Sequence, residues 1–258
     1  MKGKAFVITG GGSGIGEACA MAIAHAGANV VIGDVDLVGA RRVAEAARAC
    51  GVGAAAVQCD VSVEAEIEAL IGRALAEFGQ LDGAVNCAGP VLPRQQIADA
   101  DWDMWRKLTD AHLFGTVFSM KHEIQAIRKS SGRGSIVNMS SRSGLNATRE
   151  MGSYTAAKWA IRGVTKTVAL ECAAEGIRVN VICPGLVVTP MVRRQIGDVD
   201  PALAAGAPMT RAGEPSEIAD AAVWLLSDQS SYVTGIDVPV DGGIMAGPAA
   251  IRPAAGAS

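Results

Sequence analysis

Seven short runs rich in alanine, valine and isoleucine, most of them followed by a stretch of helical periodicity, constrain this chain more than any other feature. They are AFVIT (5–9), NVVIGD (29–34), AAAVQ (54–58), GAVN (83–86), SIVNM (135–139), RVNVI (178–182) and DVPV (237–240). The runs lack polar alternation, so each reads as a strand covered on both faces. Helical patterns at about 15–26, 36–50, 63–78, 101–128 and 154–174 separate them. Alternation of this kind requires right-handed crossovers, which build an α/β fold with a doubly wound, seven-stranded parallel sheet between two helical layers. With 258 residues, the chain reads as one domain over 1–246 and a loosely held Ala/Gly/Pro-rich tail over 247–258. Between Gly185 and Pro215 the alternation stops, and Pro190, Pro201 and Pro208 fall in that interval. A loop so long usually carries function, and residues 187–211 are the expected substrate loop.

Half of the residues are apolar and 19% are charged, which fits a globular chain, and the net charge of −3 with mixed signs argues against a nucleic-acid partner. The start, MKGKAFVITGG, lacks the apolar core of a signal peptide, and no run of about 18 uncharged apolar residues predicts a membrane span. Six scattered cysteines form no C-x-x-C pair, so no metal site is expected and a reducing cytoplasm is.

The first strand runs into TGGGSGIG, which opens the first helix. Gly10, Ser13, Gly14, Ile15 and Gly16 therefore form a turn in which phosphate can approach the main chain, backed by the unpaired amides of a helix N-terminus. Asp34 ends the second strand about 20 residues on, where a carboxylate accepts hydrogen bonds from an adenosine ribose. Its charge repels a 2′-phosphate and no arginine follows it directly, so NAD is expected, with NADP less favoured.

Further along, Tyr154 and Lys158 stand four residues apart on one helix face, 13 residues after Ser141. A tyrosine hydroxyl titrates near ~10, and a lysine cation one turn away favours the phenolate. The pair therefore reads as a proton-handling site, with Lys158 expected to lower the Tyr154 value. Ser140 and Ser143 compete with Ser141, and the spacing favours Ser141.

Taken in order, Thr9, Gly10, Gly14, Gly16, CDV (59–61), NCAG (86–89), Ser141, Tyr154, Lys158 and PGLVVT (184–189) resemble the short-chain dehydrogenase/reductase family over residues 4–243. The resemblance implies a Rossmann-type fold and hydride transfer between a secondary alcohol and NAD⁺. It implies Tyr154 as general acid and base, Lys158 beside it and on the nicotinamide ribose, and Ser141 on the substrate oxygen. Asp60 and Val61 would hold the adenine. Asn86, Ala88 and Gly89 would line the cofactor cleft, Asn86 also bracing the sheet, while Pro184, Gly185, Val187 and Thr189 would hold the nicotinamide end. An NADP-dependent carbonyl or 3-oxoacyl-thioester reductase and a non-catalytic NAD-binding scaffold are the alternatives.

One residue departs from the pattern. His112 stands where the family usually has an asparagine that helps to relay protons toward the lysine. A helix distortion at His112 preserves that relay through its carbonyl; a participating imidazole adds a titration near ~6.5; a packing substitution does neither. His25 and His122 read as surface residues. Arg142, Arg149, Arg193 and Arg194 are cations that either meet an anionic substrate or stay solvated, and Met151, Met191 and Met209 either form an adaptable apolar wall or simply pack. A small-molecule alcohol or ketone is the expected partner, and the family implies a homotetramer, with a dimer next.

Overall fold

The protein is described from a computed structural model, which covers residues 1–90, 93–196 and 207–247. The predicted tail from residue 248 onward and the middle of the predicted substrate loop, Pro201 included, lie outside the described residues. Seven parallel strands form one sheet in the order β3-β2-β1-β4-β5-β6-β7. They are β1 (Ala5–Thr9), β2 (Asn29–Asp34), β3 (Ala54–Gln58), β4 (Gly83–Asn86), β5 (Gly134–Met139), β6 (Ile177–Pro184) and β7 (Asp237–Val240). All seven expected strands are present, with β5 and β6 extended beyond the apolar runs. The winding reverses between β1 and β4, which opens a crevice at the carboxyl ends of the strands.

Strand parity distributes side chains between two cores. Phe6 and Ile8 of β1, Val30 and Ile32 of β2, and Val85 and Val137 of β4 and β5 enter one core. Val7, Val31, Ala84 and Ile136 enter the other. The first core is closed by α1 (Gly14–His25), α2 (Leu37–Ala49) and a helix α8 (Pro215–Leu226). The second lies under α3 (Glu64–Phe78), α5 (Gly115–Lys129) and α6 (Gly152–Cys172). Each helix buries a stripe at three- and four-residue spacing, such as Ile67, Leu70, Ile71 and Ala74 of α3. Full burial of one such leucine or isoleucine contributes about 1.5–3 kcal/mol.

Helix ends follow local chemistry. Asp36 caps α2 by accepting from the Val38 amide, and α8 opens with Pro215 inside a Glu214/Glu217 capping box. A short α7 (Pro190–Ile196) lies after β6. The two ends of the long loop are pinned together: Val188 N donates to Gly213 O at 2.9 Å and Gly213 N donates to Leu186 O at 2.8 Å.

The unbroken helix expected over 101–128 is instead two helices, α4 (Trp102–Thr109) and α5, joined by a π-turn at Asp110–Phe114. The Thr116 hydroxyl donates to the His112 carbonyl at 2.7 Å, and Gly115 is packed against Val61. A side chain inserted into the helical ladder at a tight contact is a recognised cause of such a bulge.

Candidate active site

A cleft of about 1060 Å3 runs along the carboxyl ends of the central strands. At one end the glycine turn contributes Gly10, Ser13, Gly14, Ile15 and Gly16. Close approach explains part of this run: a Cβ on Gly16 would lie 2.1 Å from the Gly10 carbonyl oxygen. Ser13 is extended and leaves its hydroxyl off the helix end, so the first amides of α1 have no side-chain cap.

Asp34 closes this end. Its Oδ2 accepts from Gly12 N at 2.8 Å and its Oδ1 from Asp36 N at 2.9 Å, which fixes the carboxylate at the cleft wall. Arg42 reaches the Gly12 carbonyl, but both ends of its guanidinium are held by Glu17 at 2.6 and 2.7 Å. Asp60, Val61, Ala88 and Gly89 also line the cleft. Asp60 commits Oδ1 to the Ser62 amide and hydroxyl. These features fit a dinucleotide: a turn open to phosphate at a helix end, and a fixed carboxylate where a ribose would lie.

Asn86 does not line this cleft. Its side chain turns into the core, where Nδ2 donates to Asn138 Oδ1 at 2.9 Å and to Glu123 Oε2 at 3.1 Å. The reason is parity: Asn86 shares the face of Ala84, which points toward α5. Bracing of the sheet is the part of its expected role that its contacts support.

At the other end Ser141, Tyr154, Lys158 and His112 converge with Pro184, Gly185, Val187 and Thr189. The serines sort by their bonds. Ser140 Oγ donates to the Lys158 carbonyl at 2.9 Å, and Ser143 shares a hydrogen with Thr148 at 2.7 Å. Ser141 instead sits in extended backbone at the mouth of a short 3-10 turn, with its Oγ accepting from Ser143 N and its hydroxyl facing the Tyr154 phenol. Lys158 is buried; its Nζ donates to the Met139 carbonyl at 2.8 Å and lies 5.5 Å from the centre of the Tyr154 ring.

The electrostatics correct one expectation. Burial pushes the Tyr154 phenol above its ordinary value, with the Ser141 hydroxyl acting the other way. Burial also pushes Lys158 down, to about 8. In the protein alone, desolvation of the phenolate therefore dominates, and the Tyr154 value lies above the ordinary one and not below it as the spacing suggested.

His112 is buried, with Nε2 2.7 Å from the Pro90 carbonyl and its ring edge-on to Tyr154 at 5.3 Å. The ring lies so close to Gly89 that a Cβ there would come within 2.1 Å of it. Burial, and then the charge of Lys158, push the imidazole well below its ordinary value, and the Pro90 carbonyl only partly opposes them. The titration near ~6.5 is therefore not expected from this environment. The imidazole is neutral, with Nε2–H on Pro90, and the helix distortion at this position is present. His25 is exposed, whereas His122 is half-buried and meets Glu64 Oε1 at 3.2 Å, a partner that the sequence did not suggest.

Of the loop residues considered, Arg194 and Met191 line the cleft, and Met151 lines a small cavity on the far side of Tyr154. Arg149 is a surface cation 3.5 Å from Glu150. Cleft residues that the sequence did not single out include Pro90 and, from α4, Arg106 and Lys107. Among the described residues no cluster of metal-ligating side chains forms, and no helix is long and apolar enough to cross a membrane.

The arrangement of crevice, fixed carboxylate and Ser/Tyr/Lys cluster defines a dinucleotide-dependent oxidoreductase site. A family model described as "Enoyl-(Acyl carrier protein) reductase" matches residues 10–245. A 2,5-dichloro-2,5-cyclohexadiene-1,4-diol dehydrogenase of Sphingobium indicum is 40% identical over 250 residues, covering 95% of this chain and 98% of that protein. A cis-4-hydroxycyclohexanecarboxylate dehydrogenase of Sinomonas cyclohexanicum is 41% identical over 240 residues, covering 93% and 96%. The crystal structure of levodione reductase superposes with a TM-score of 0.91 at 32% identity, covering 95% of this chain and 99% of that one. The chain belongs to the short-chain dehydrogenase/reductase family, whose members bind NAD or NADP, and is an oxidoreductase of CH–OH groups that interconverts a secondary alcohol and a ketone.

Proposed function

We propose that this enzyme acts on ring-borne secondary alcohols and the corresponding cyclic ketones, with NAD as its hydride carrier. One observation carries the reading: a single cleft presents Ser141, Tyr154 and Lys158 at one end and the Asp34 carboxylate at the other. Cyclic substrates are favoured by the names of the relatives, whose ring alcohols share no other group. NAD is favoured because Asp34 faces the ribose position and Arg42 is held by Glu17, so that guanidinium does not stand free for a 2′-phosphate.

When bound, the nicotinamide supplies the site that accepts the hydride in oxidation and gives it back in reduction. Ser141 donates its hydroxyl hydrogen to the substrate oxygen and holds it beside Tyr154. Tyr154 takes the hydroxyl proton in oxidation and returns it in reduction. Lys158, fixed on the Met139 carbonyl, places positive charge within one helical turn of the phenol. That charge and the cationic ring of the oxidised cofactor act together against the desolvation that keeps Tyr154 neutral in the protein alone. His112 packs the outer edge of the Tyr154 ring and ties it to the Gly89–Pro90 segment.

Cycloalkanols with and without a ring carboxylate, offered with NAD⁺ or NADP⁺ and followed by nicotinamide absorbance, test the reading. Tyr154→Phe is expected to lower turnover by about 10²–10⁴-fold while calorimetric NAD binding persists. Undiminished turnover in that variant refutes the role of Tyr154. Preference for NADP⁺ moves the enzyme toward a carbonyl or 3-oxoacyl-thioester reductase, and cofactor binding without turnover on any alcohol makes it a scaffold.

A homotetramer is the assembly we propose, with a dimer as the alternative outcome of light scattering. Large apolar side chains stand exposed at Trp102 and Phe114 on the α4–α5 side and at Trp159 and Leu170 of α6. Six free cysteines suit a reducing compartment, and we place the enzyme in the cytoplasm.

A further inference from the structure

Glu123 of α5 is wholly buried, and the proposed reaction does not use it. Its Oε2 accepts from Asn86 Nδ2 at 3.1 Å. The same nitrogen donates to Asn138 Oδ1 at 2.9 Å, so both amide hydrogens of Asn86 are committed. Asn138 continues the seam by donating to Thr165 Oγ1 at 2.9 Å, and the Thr165 hydroxyl donates to the Ile161 carbonyl at 2.6 Å. One polar seam thus joins α5, β4, β5 and α6 beneath the cleft.

Two buried atoms of the seam are left without a partner, Glu123 Oε1 and Asn86 Oδ1. If the carboxyl is ionised, both are acceptors and neither can satisfy the other. Each such atom bears the cost of its desolvation with no bond in return, and a buried unpaired charge costs more. The charged groups of the surrounding elements are engaged elsewhere. Lys121 and His122 of α5 meet Glu64 of α3, and Arg128 of α5 meets Glu175. Lys158 of α6 is on the Met139 carbonyl, and Arg162 and Lys166 of α6 are on Asp237. Burial raises the thiols of Cys87, beyond β4, and Cys172 of α6, so neither carries charge near neutral pH.

A single proton resolves both vacancies. We propose that Glu123 is a carboxylic acid in the folded enzyme and that its Oε1–H donates to Asn86 Oδ1, closing a cyclic acid–amide pair. The proton comes from solvent as the chain folds. Glu123 is on this view a positioning residue. Asn86 leads directly into Cys87–Gly89 of the cleft floor, and Asn138 leads into Met139, whose carbonyl holds Lys158. Burial pushes the Glu123 carboxyl up to about 8, the Asn86 hydrogen bond acting the other way, so the acid is the form present at neutral pH. Because the folded value exceeds the unfolded one, near ~4.3, this contribution to stability is complete below ~4.3 and is lost as pH rises to about 8.

Glu123→Gln tests the proposal, because its amide reproduces both bonds of the pair and cannot titrate. Infrared spectra of the full chain near neutral pH should contain a protonated-carboxyl band in the wild type that is absent from Glu123→Gln. The folding equilibrium constant of Glu123→Gln relative to wild type should rise about tenfold per pH unit between ~4.3 and about 8, then level off. Glu123→Leu, which leaves the Asn86 amide unpaired, should be less stable than Glu123→Gln across this range. Absence of the band, or a pH-independent difference between wild type and Glu123→Gln, overturns the proposal. These readouts need neither cofactor nor substrate, so their failure is separate from failure of the proposed reaction.

Discussion

Lys158→Met should make the cofactor-free protein more stable while removing turnover. The lysine is 4% exposed, and burial brings its pKa from 10.5 to about 8. Holding the ammonium in that site costs about 3 kcal/mol wherever it is charged in both the folded and the unfolded chain. Methionine has a similar length, adapts to an irregular space and carries no charge. Its introduction gives up the bond from Nζ to the Met139 carbonyl, worth about 1 kcal/mol. The expected net gain near neutral pH is about 2 kcal/mol, or roughly 4–8 °C in Tm for a chain of this size. The sign with pH follows from a folded value below the unfolded one. The cost of the lysine is complete below about 8 and is relieved as pH climbs toward 10.5, so the advantage of methionine should shrink over that interval. Urea unfolding of both proteins without cofactor, at equal protein concentration and across this range, measures the difference. A Lys158→Met variant that is less stable at neutral pH, or whose gain is the same at both ends, refutes the argument that desolvation dominates at this position.

Two shorter predictions probe the rest of the cleft. Asp34→Ala removes the acceptor for the Gly12 and Asp36 amides and should weaken NAD binding by about tenfold or more, with NADP affected less; equal losses for the two cofactors would remove Asp34 from ribose recognition. The neutral His112 should leave no inflection near ~6.5 in the pH–rate profile, and His112→Asn should keep the shape of that profile; a wild-type inflection there that disappears in the variant would show that the imidazole titrates.

What the sequence revealed depended on how local the signal is. The strands were legible because their apolar runs are short and unbroken. The glycine turn and the Tyr154–Lys158 pair were legible because each lies within a few residues on one element. The choice among Ser140, Ser141 and Ser143 rested on spacing alone, and the bonds that separate them come from Lys158 and Thr148. The π-turn adds one residue to a helical turn without altering composition, so the periodicity over 101–128 gave no sign of where the helix would break. The net shift of Tyr154 was read with the wrong sign because spacing reports proximity of charge and not burial, and burial is the largest influence here.

Glu123 and Asn86 show where a further step was within reach. In KHEIQAIRK a glutamate looks like part of a solvated helix face, and nothing local marks it as buried. Parity along the strands does better. Ala84 and Ile136 enter the core beneath α5, so Asn86 and Asn138, each two residues further along its strand, must present amides to that same apolar layer. Two amides on adjacent strands can satisfy each other only in part, and a polar group from the covering helix is then required. Among Lys121, His122, Glu123 and Gln125, only one whose side chain faces the sheet can supply it, and the structure assigns that place to Glu123. A carboxyl recruited to complete an amide pair is asked for a donor as well as an acceptor, and it can provide the donor only by keeping its proton.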